Sequence, residues 1–475
     1  MSERLSNDAL PGLPTAIARP AYDRQALRPG IVHLGEGAFH RAHQALYVDD
    51  CLAAGEMQWA IVGASLRGRE VRDALAPQDF LYTVAASDGS GRALRVVGSL
   101  IDVVCTPDDP DRLIDIIANP GIRIVTLTVT EKAYLRRPDG GLDADHPDIV
   151  HDLAPGGAPK TIHGILVEAI SRRRAADVPP FTVLCCDNLP ANGQAVRRVV
   201  IDFARRRSAT LAEYIENEVA FPCSMVDRIV PATTDADRAA VAREIGCVDA
   251  WPIMTEPFTQ WVIEDRFPIG RPAWERFGVT MVDDVGPFET MKLRMLNGAH
   301  SAIAYLGLLA GHATVDAAFA DRTILDTVEG LWAEAATTLP AQSDLDASEY
   351  TRRLARRFGN PALAHQTRQI ATDGSQKLPQ RIIAPALDRL RAGLGADYLA
   401  TAAAAWIAAC AARGDRLPRD HFTDPLDQSL AEIFARRLTP REMTSAVFAC
   451  AGFAAGDRFG EELEIAVTKA LVRLL

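Results

Sequence analysis

The stretch Phe288–Gly307, FETMKLRMLNGAHSAIAYLG, sets an amine, an amide, an imidazole and a carboxylate into an otherwise apolar segment. Read as an α-helix at roughly 100° per residue with Lys292 at the origin, Glu289 falls near 60°, His300 near 80° and Asn297 near 140°, while Arg294, near 200°, points away. Unpartnered polar groups are costly to bury, so an arc of this kind faces a cleft or a set of partners. The same residues also fit a plain helix, with Lys292 lying along apolar surface, Asn297 and His300 as satisfied core polars and Glu289 as an i,i+3 partner.

Such a helix needs a scaffold, and the upstream chain supplies one. A strand pattern at Gly30–Leu34 runs into Gly35-Glu36-Gly37-Ala38-Phe39-His40-Arg41 and then into a helical pattern. Strand, glycine turn and helix form the context in which a backbone approaches a dinucleotide's pyrophosphate. Gly35 and Gly37 fit the GxGxxG pattern, but His40 stands where the last glycine would be, so a tight structural turn is the competing reading. After a second strand at Trp59–Gly63 no acidic residue is placed to hold the adenosine ribose. Ser65, Arg67 and Arg69 are nearer than Glu70, and arginines there suit a 2′-phosphate, so NADP stays open beside NAD.

Further strand patterns at Phe80–Val84, Ala93–Val97, Arg123–Val129 and Phe181–Cys185 alternate with helical stretches at Pro110–Ile117, Lys160–Arg174 and Gln194–Arg207. Alternation of this kind predicts an α/β sheet whose strand ends carry the site. Two loops stand at such ends, Thr128-Val129-Thr130-Glu131 and Cys186-Asp187-Asn188-Leu189-Pro190. Asn188 is therefore a site candidate, or alternatively a turn or capping residue. Ala220–Asp227 and Val248–Phe267 read as more sheet. From Gly286 onward helical patterns take over, including Ser348–Phe358, Pro361–Ile370, Pro379–Gly393 and Asp397–Arg413. The expected organisation is a Rossmann-type dinucleotide-binding domain with an N-terminal arm over 1–285 and an all-helical domain over 286–475.

The chain of 475 residues suits two domains, and 48% hydrophobic with 24% charged residues is ordinary for a soluble protein. A formal charge of −11 argues against a nucleic-acid surface. With no apolar leader or membrane-spanning run, and eight scattered cysteines without a CxxC pair or zinc spacing, the expectation is a cytoplasmic protein with reduced thiols and no metal.

Taken together, HLGEGAFHRAHQALYVDD, LTVTEKAY, CDNLPANG, MVDRIVP, TEPFTQWVIEDRF and MKLRMLNGAHSAIAYLG resemble the polyol-specific long-chain dehydrogenases, the mannitol dehydrogenase family. The resemblance runs from about Leu10 past Lys377. MKLRMLNG, DGSQKLPQR and the opening PGLPTAIARPAYDRQALRPGIVHLG look most like its fructuronate reductase branch. It implies a metal-independent, NAD-linked interconversion of D-fructuronate and D-mannonate. Lys292 would be the general acid/base, Asn188 and Asn297 would hold the reacting oxygen, His300 would orient it, and Glu289 would help Lys292 exchange its proton with solvent. Free lysine titrates at about 10.4, so Lys292 would need apolar surroundings to act as a base.

By the same resemblance Gly35, Gly37, Ala38, Phe39, His40, Arg41, Ser65, Arg67, Thr130 and Glu131 are the expected cofactor contacts, and Asp227, Lys377, Arg368 and Gln369 the substrate contacts. Mannitol dehydrogenases carry an arginine where this chain has Gln369, eight residues before Lys377, which favours a substrate other than mannitol. A uronate's carboxylate would need a cation, with Lys377, Arg368 and Arg381 as candidates. Glu36 also departs from the family pattern, and its carboxylate is expected to point away from the phosphates. The alternatives are a mannitol or arabinitol dehydrogenase and a catalytically silent dinucleotide-binding sensor. The expected partner is a small sugar acid or polyol, with no nucleic acid and no membrane, in a monomer or small homo-oligomer.

Overall fold

The computed structural model describes residues 3–341, 345–453 and 456–475. They form two compact units that divide between Val285 and Gly286. The first unit contains eleven strands: β1 (Pro29–Leu34), β2 (Ala60–Ser65), β3 (Tyr82–Asp88), β4 (Gly91–Val97), β5 (Leu100–Cys105), β6 (Ile124–Leu127), β7 (Thr182–Cys185), β8 (Ser224–Asp227), β9 (Ile253–Thr255), β10 (Gln260–Glu264) and β11 (Thr280–Val282).

Its centre is a five-stranded, fully parallel sheet in the order β5-β2-β1-β6-β7. The strands are buried on both faces, as the near-continuous apolar runs IVHL, AIVGA and TVLC require. Ile162–Ala175 is one of the covering helices; the Thr161 hydroxyl caps it by accepting from the Gly164 N–H, and Arg172, Arg173 and Arg174 complement its C-terminal dipole. The chain runs outward from β1 through β2 to β5, then returns to β6 and β7 on the other side. The strand order therefore reverses between β1 and β6, which is where an open α/β sheet forms its binding crevice.

Two expectations are corrected here. β3 and β4 do not extend the central sheet; they pair with each other and with β9 in a separate three-stranded sheet, and β8, β10 and β11 form another. The strand that completes the central sheet on that side is β5, hidden in a largely apolar run broken by Gly98, Ser99 and Asp102.

The second unit is helical apart from isolated bridges such as Thr314 with Gln366. Its central element runs from Gly286 to Ala310 in three consecutive segments: α-helix Gly286–Met291, π-helix Lys292–Asn297 and α-helix Gly298–Ala310. Every residue from Gly298 to Leu308 is buried, so this helix is apolar on all sides and packs against Asp397–Ala412, which in turn packs on Arg458–Leu474. The helix expected over Pro361–Ile370 is broken: a single 3₁₀ turn at Pro361–Leu363 ends at Ala364, whose φ is +44°, and a short helix restarts at Thr367–Ala371. A second π-helix, Pro379–Ile383, lies between Gly374–Leu378 and Ala384–Arg391.

No helix among the described residues is long and apolar enough to cross a membrane. All eight cysteines are free thiols, seven of them buried.

Candidate active site

In the first unit the site is built around the glycine turn after β1. Gly35 has φ +94°, and a Cβ there would stand 2.1 Å from the Thr128 carbonyl oxygen, so glycine is needed both for the backbone angle and for the approach of the β6 loop. Gly37 has no such backbone demand. A Cβ on it would meet nothing closer than the Gly35 oxygen at 3.7 Å, which leaves an open cradle over the turn, just before the short helix Ala38–Ala42. That cradle fits a pyrophosphate, the group such a turn holds in dinucleotide-binding folds.

Where a third glycine would let helix and strand approach, His40 stacks flat on His33 of β1, with ring centroids 3.4 Å apart and an interplanar angle of 12°. His33 Nε2 lies 3.2 Å from the Gly35 carbonyl, an acceptor, so the proton is assigned to Nε2 and Nδ1 accepts from the Thr126 hydroxyl at 2.7 Å. Burial pushes the His33 imidazole down to about 3. The Arg41 side chain is also buried: it donates to the Trp251 carbonyl at 3.1 Å and lies over Tyr82 and Trp251. His40 and Arg41 therefore leave their backbone, and not their side chains, at the turn. Ala38 and Phe39 are partly exposed on the helix.

Glu36 turns into the interior, where Gly63 of β2 makes room: a Cβ at Gly63 would stand 2.6 Å from Glu36 Oε2. Both Glu36 oxygens are buried without a hydrogen bond, and burial raises the carboxyl to about 8 against a smaller opposing pull from Arg41.

The loops after β6 and β7 are tied by Asp187, a residue that the sequence pattern offered only as Asn188's neighbour. Its carboxylate accepts from the Val129 N–H at 2.9 Å, the Thr130 N–H at 3.3 Å and the Tyr134 hydroxyl at 2.5 Å. Thr130 is thereby held at φ +79°, a strained angle for a β-branched residue. Asn192 anchors the same loop from below, donating to the Cys185, Asp187 and Ser224 carbonyls. Asn188 and Glu131 are exposed at these strand ends, and Asp227 is buried at the end of β8.

After β2 the Ser65 hydroxyl closes its own turn on the Gly68 carbonyl at 2.6 Å. Arg69 is engaged by Asp108. Arg67 instead lines a cavity of about 640 Å³ together with Thr106, Lys132, His151 and Lys160.

In the second unit Lys292 and Asn297 open and close the π segment, with His300 just beyond. The i→i+5 bonding of a π-helix widens the turn, so the regular spacing assumed for an α-helix does not hold between Lys292 and Asn297. Lys292, Asn297 and Glu289 are half-buried, whereas His300 is 9% exposed. The His300 ring packs 4.5 Å from Phe358 and 5.6 Å from His365, and its Nε2 has no partner. Burial first, then the proximity of His365, Arg357 and Arg381, holds its imidazole well below the ordinary range, so the ring is neutral.

Lys377 donates to the Thr372 carbonyl at 2.6 Å. Its helix is seated by Gly374, where a Cβ would collide with the Tyr305 hydroxyl and the Trp406 indole nitrogen at 2.4 Å. Arg368 and Gln369 are exposed on Thr367–Ala371. No group of three or more His, Cys, Asp or Glu among the described residues could hold a metal ion.

Two family models account for nearly the whole chain: the mannitol dehydrogenase Rossmann domain matches residues 29–276, and the mannitol dehydrogenase C-terminal domain matches residues 284–471. The D-mannonate oxidoreductase of Escherichia coli is 43% identical over 82% of this chain and 82% of its own length. The mannitol 2-dehydrogenase of Cereibacter sphaeroides is also 43% identical, over 83% of each chain. Among solved structures, Pseudomonas fluorescens mannitol 2-dehydrogenase, in a ternary complex with NAD and D-mannitol, superposes with a TM-score of 0.84 at 36% identity, covering 99% of this chain and 96% of that one.

Proposed function

The chain belongs to the mannitol dehydrogenase family of oxidoreductases, and from that membership we propose that it is an NAD(H)-dependent enzyme interconverting D-fructuronate and D-mannonate. The observation that carries the substrate reading is Gln369, which replaces the arginine that the mannitol-specific pattern calls for. Its likeness to the D-mannonate and mannitol enzymes is equal, which keeps a polyol dehydrogenase as the second reading.

The bound nicotinamide supplies the hydride acceptor or donor. The pyrophosphate sits in the cradle over the Gly35–Gly37 turn, at the start of the helix Ala38–Ala42, with the side chains of His40 and Arg41 buried beneath. Thr130 and Glu131 line the cofactor from the β6 loop, shaped by Asp187. Because Arg69 is engaged by Asp108, Arg67 is the arginine left to meet a 2′-phosphate, and NADPH is the minor cofactor.

In oxidation, neutral Lys292 removes the proton of the substrate hydroxyl while the Asn297 and Asn188 amides donate to the developing alkoxide. His300, neutral and wedged against Phe358, orients that oxygen. Glu289 returns the lysine's proton to solvent, and Asp227 and Lys377 hold the remaining hydroxyls. In reduction the same groups act in reverse, with Lys292 protonating the new alkoxide.

The test is steady-state oxidation of NADH and NADPH with D-fructuronate and D-fructose at matched concentrations. D-fructuronate should win by orders of magnitude in kcat/KM; equal rates, or a preference for fructose, would make the protein a polyol dehydrogenase. Lys292→Ala should lower kcat by about 100-fold or more while the NADH Kd, read by fluorescence titration, stays close to wild type. A variant with wild-type kcat would remove Lys292 from the mechanism.

A further inference from the structure

The second unit contains two π-helical segments, Lys292–Asn297 and Pro379–Ile383, and they touch. A Cβ on Gly298 would stand 3.0 Å from the Arg381 carbonyl oxygen, so the second segment is pressed against the first where Asn297 ends it. π-Helices appear mostly as single turns, frequently at functional sites. Two packed together bring the side chains of one against the polar residues of the other.

We infer that Arg381 is the residue that binds the substrate's carboxylate and so sets the preference for a sugar acid over a polyol. Its Nη1 donates to the Ser301 hydroxyl at 3.3 Å, and Ser301 in turn donates to the Asn297 carbonyl at 3.0 Å. The guanidinium thus lies on the same helical face as Asn297 and beside His300, whose buried Nε2 is unpartnered.

Three other inward-facing arginines are engaged. Arg173 is buried with its guanidinium on four backbone carbonyls, Arg228 is held by the Glu256 and Ala42 carbonyls, and Arg294 is paired with Asp388 at 2.8 Å. Arg381 has the Ser301 hydroxyl alone, and no carboxylate of the described residues lies within ion-pair distance. A guanidinium offers five donors in a planar fork, and none of those that Arg381 does not use on Ser301 is sealed away from solvent, so a ligand can reach them. A carboxylate meets that fork in two parallel hydrogen bonds.

The other candidates fit less well. Arg368 is exposed, and Lys377 spends a hydrogen bond on Thr372. The field around Arg381 is also positive, since Arg357 and Arg381 both act on His300 to keep it uncharged.

The inference rests on the reading of this protein as a sugar-acid oxidoreductase, and the experiment separates the two. The ratio of kcat/KM for D-fructuronate to that for D-fructose is measured for wild type, Arg381→Gln and Arg381→Lys, with thermal midpoints alongside. Losing charge-assisted hydrogen bonds of this kind corresponds to about a 10- to 100-fold fall in the ratio for Arg381→Gln. The fall should be carried mainly by the KM for fructuronate, with Arg381→Lys in between. If wild type prefers fructuronate and Arg381→Gln lowers both substrates equally, Arg381 is structural and the inference is overturned while the sugar-acid reading stands. A wild type without that preference overturns both. Should Arg381→Gln fail to fold, Ser301→Ala, which removes the hydroxyl that steers the guanidinium, should still reduce the ratio several-fold, and an unchanged ratio there overturns the inference.

Discussion

Glu36 is a carboxylic acid placed under a phosphate-binding turn, and its environment removes the apparent conflict with anionic phosphates. Buried against Gly63, with its Oε2 3.7 Å from His40 Nε2, it holds its proton up to about 8, while the imidazole beside it is kept uncharged. The pair is two neutral groups and not a salt bridge. In the unfolded chain the same carboxyl ionises near its ordinary value of 4.5. Between those two pH values the folded protein binds the extra proton, so this residue's contribution to stability is largest below 4.5 and is lost progressively as pH rises toward 8. Glu36→Gln cannot ionise, so its thermal midpoint should gain on wild type by several degrees between pH 5 and pH 8.5, as read by calorimetry. Parallel profiles for the two proteins would show that Glu36 is ionised at neutral pH. The residue stood out in the sequence as a departure from the family pattern. Its burial did not, because that depends on Gly63, a glycine on the neighbouring strand.

At the scale of elements, the central helix of the second unit shows how far periodicity carries. Apolar spacing over Phe288–Gly307 identified a helix with Lys292, Asn297 and His300 on it, and a helix is present. The π segment was invisible, because a helix apolar on nearly all sides has no one-sided pattern for a changed number of residues per turn to disturb. The parallel sheet was legible in the alternation of strand and helix, whereas β5 merged with the apolar run before it. Asp187 stood in the sequence only as Asn188's neighbour, because its partners, Val129 and Thr130, reach it only once β6 and β7 pair. Family motifs reached further than spacing alone, since the turn around Gly35 is ambiguous by itself. The contact between the two π segments is open to test. Gly298→Ala places a methyl group 3.0 Å from the Arg381 carbonyl, a backbone atom that moves only if its segment moves. Overpacking of this sort costs about 1–3 kcal/mol, or roughly 2–4 °C of midpoint per kcal/mol in a unit of this size. Activity should fall together with the midpoint, because Asn297 and Arg381 shift apart. A variant that loses stability while keeping wild-type kcat/KM would mean that the two segments are coupled in packing but not in catalysis.

Across the whole molecule, four of the five buried histidines among the described residues are held uncharged by burial, His33, His40 and His163 in the first unit and His300 in the second, and the partly buried His365 is lowered as well. Burial is the first cause in each case, holding His33 down to about 3 and His163 to about 4, with His40 and His300 also well below the ordinary 6.5. On unfolding below pH 6.5 each takes up a proton, so their contribution is complete above 6.5 and is lost as pH falls toward the folded values. Each fully protonating histidine steepens that loss by on the order of 1.4 kcal/mol per pH unit. Glu36 slopes the other way between 4.5 and 8, and Asp187, Asp249 and Glu334, whose carboxyls burial also raises, slope with it. The histidines' share of stability therefore begins to fall at about pH 6.5, well above the range in which exposed carboxylates titrate at about 4, and the raised carboxyls temper that acid limb. His163 provides a control away from the proposed chemistry: it lies in the helix Ile162–Ala175 with Nε2 3.1 Å from the Tyr134 carbonyl. His163→Gln keeps a donor for that carbonyl and cannot charge. Its denaturation midpoint should match wild type at pH 7 and exceed it increasingly from pH 6 down to pH 4.5. An acid limb as steep in the variant as in wild type would move the origin of acid sensitivity away from the buried imidazoles and onto the carboxylates.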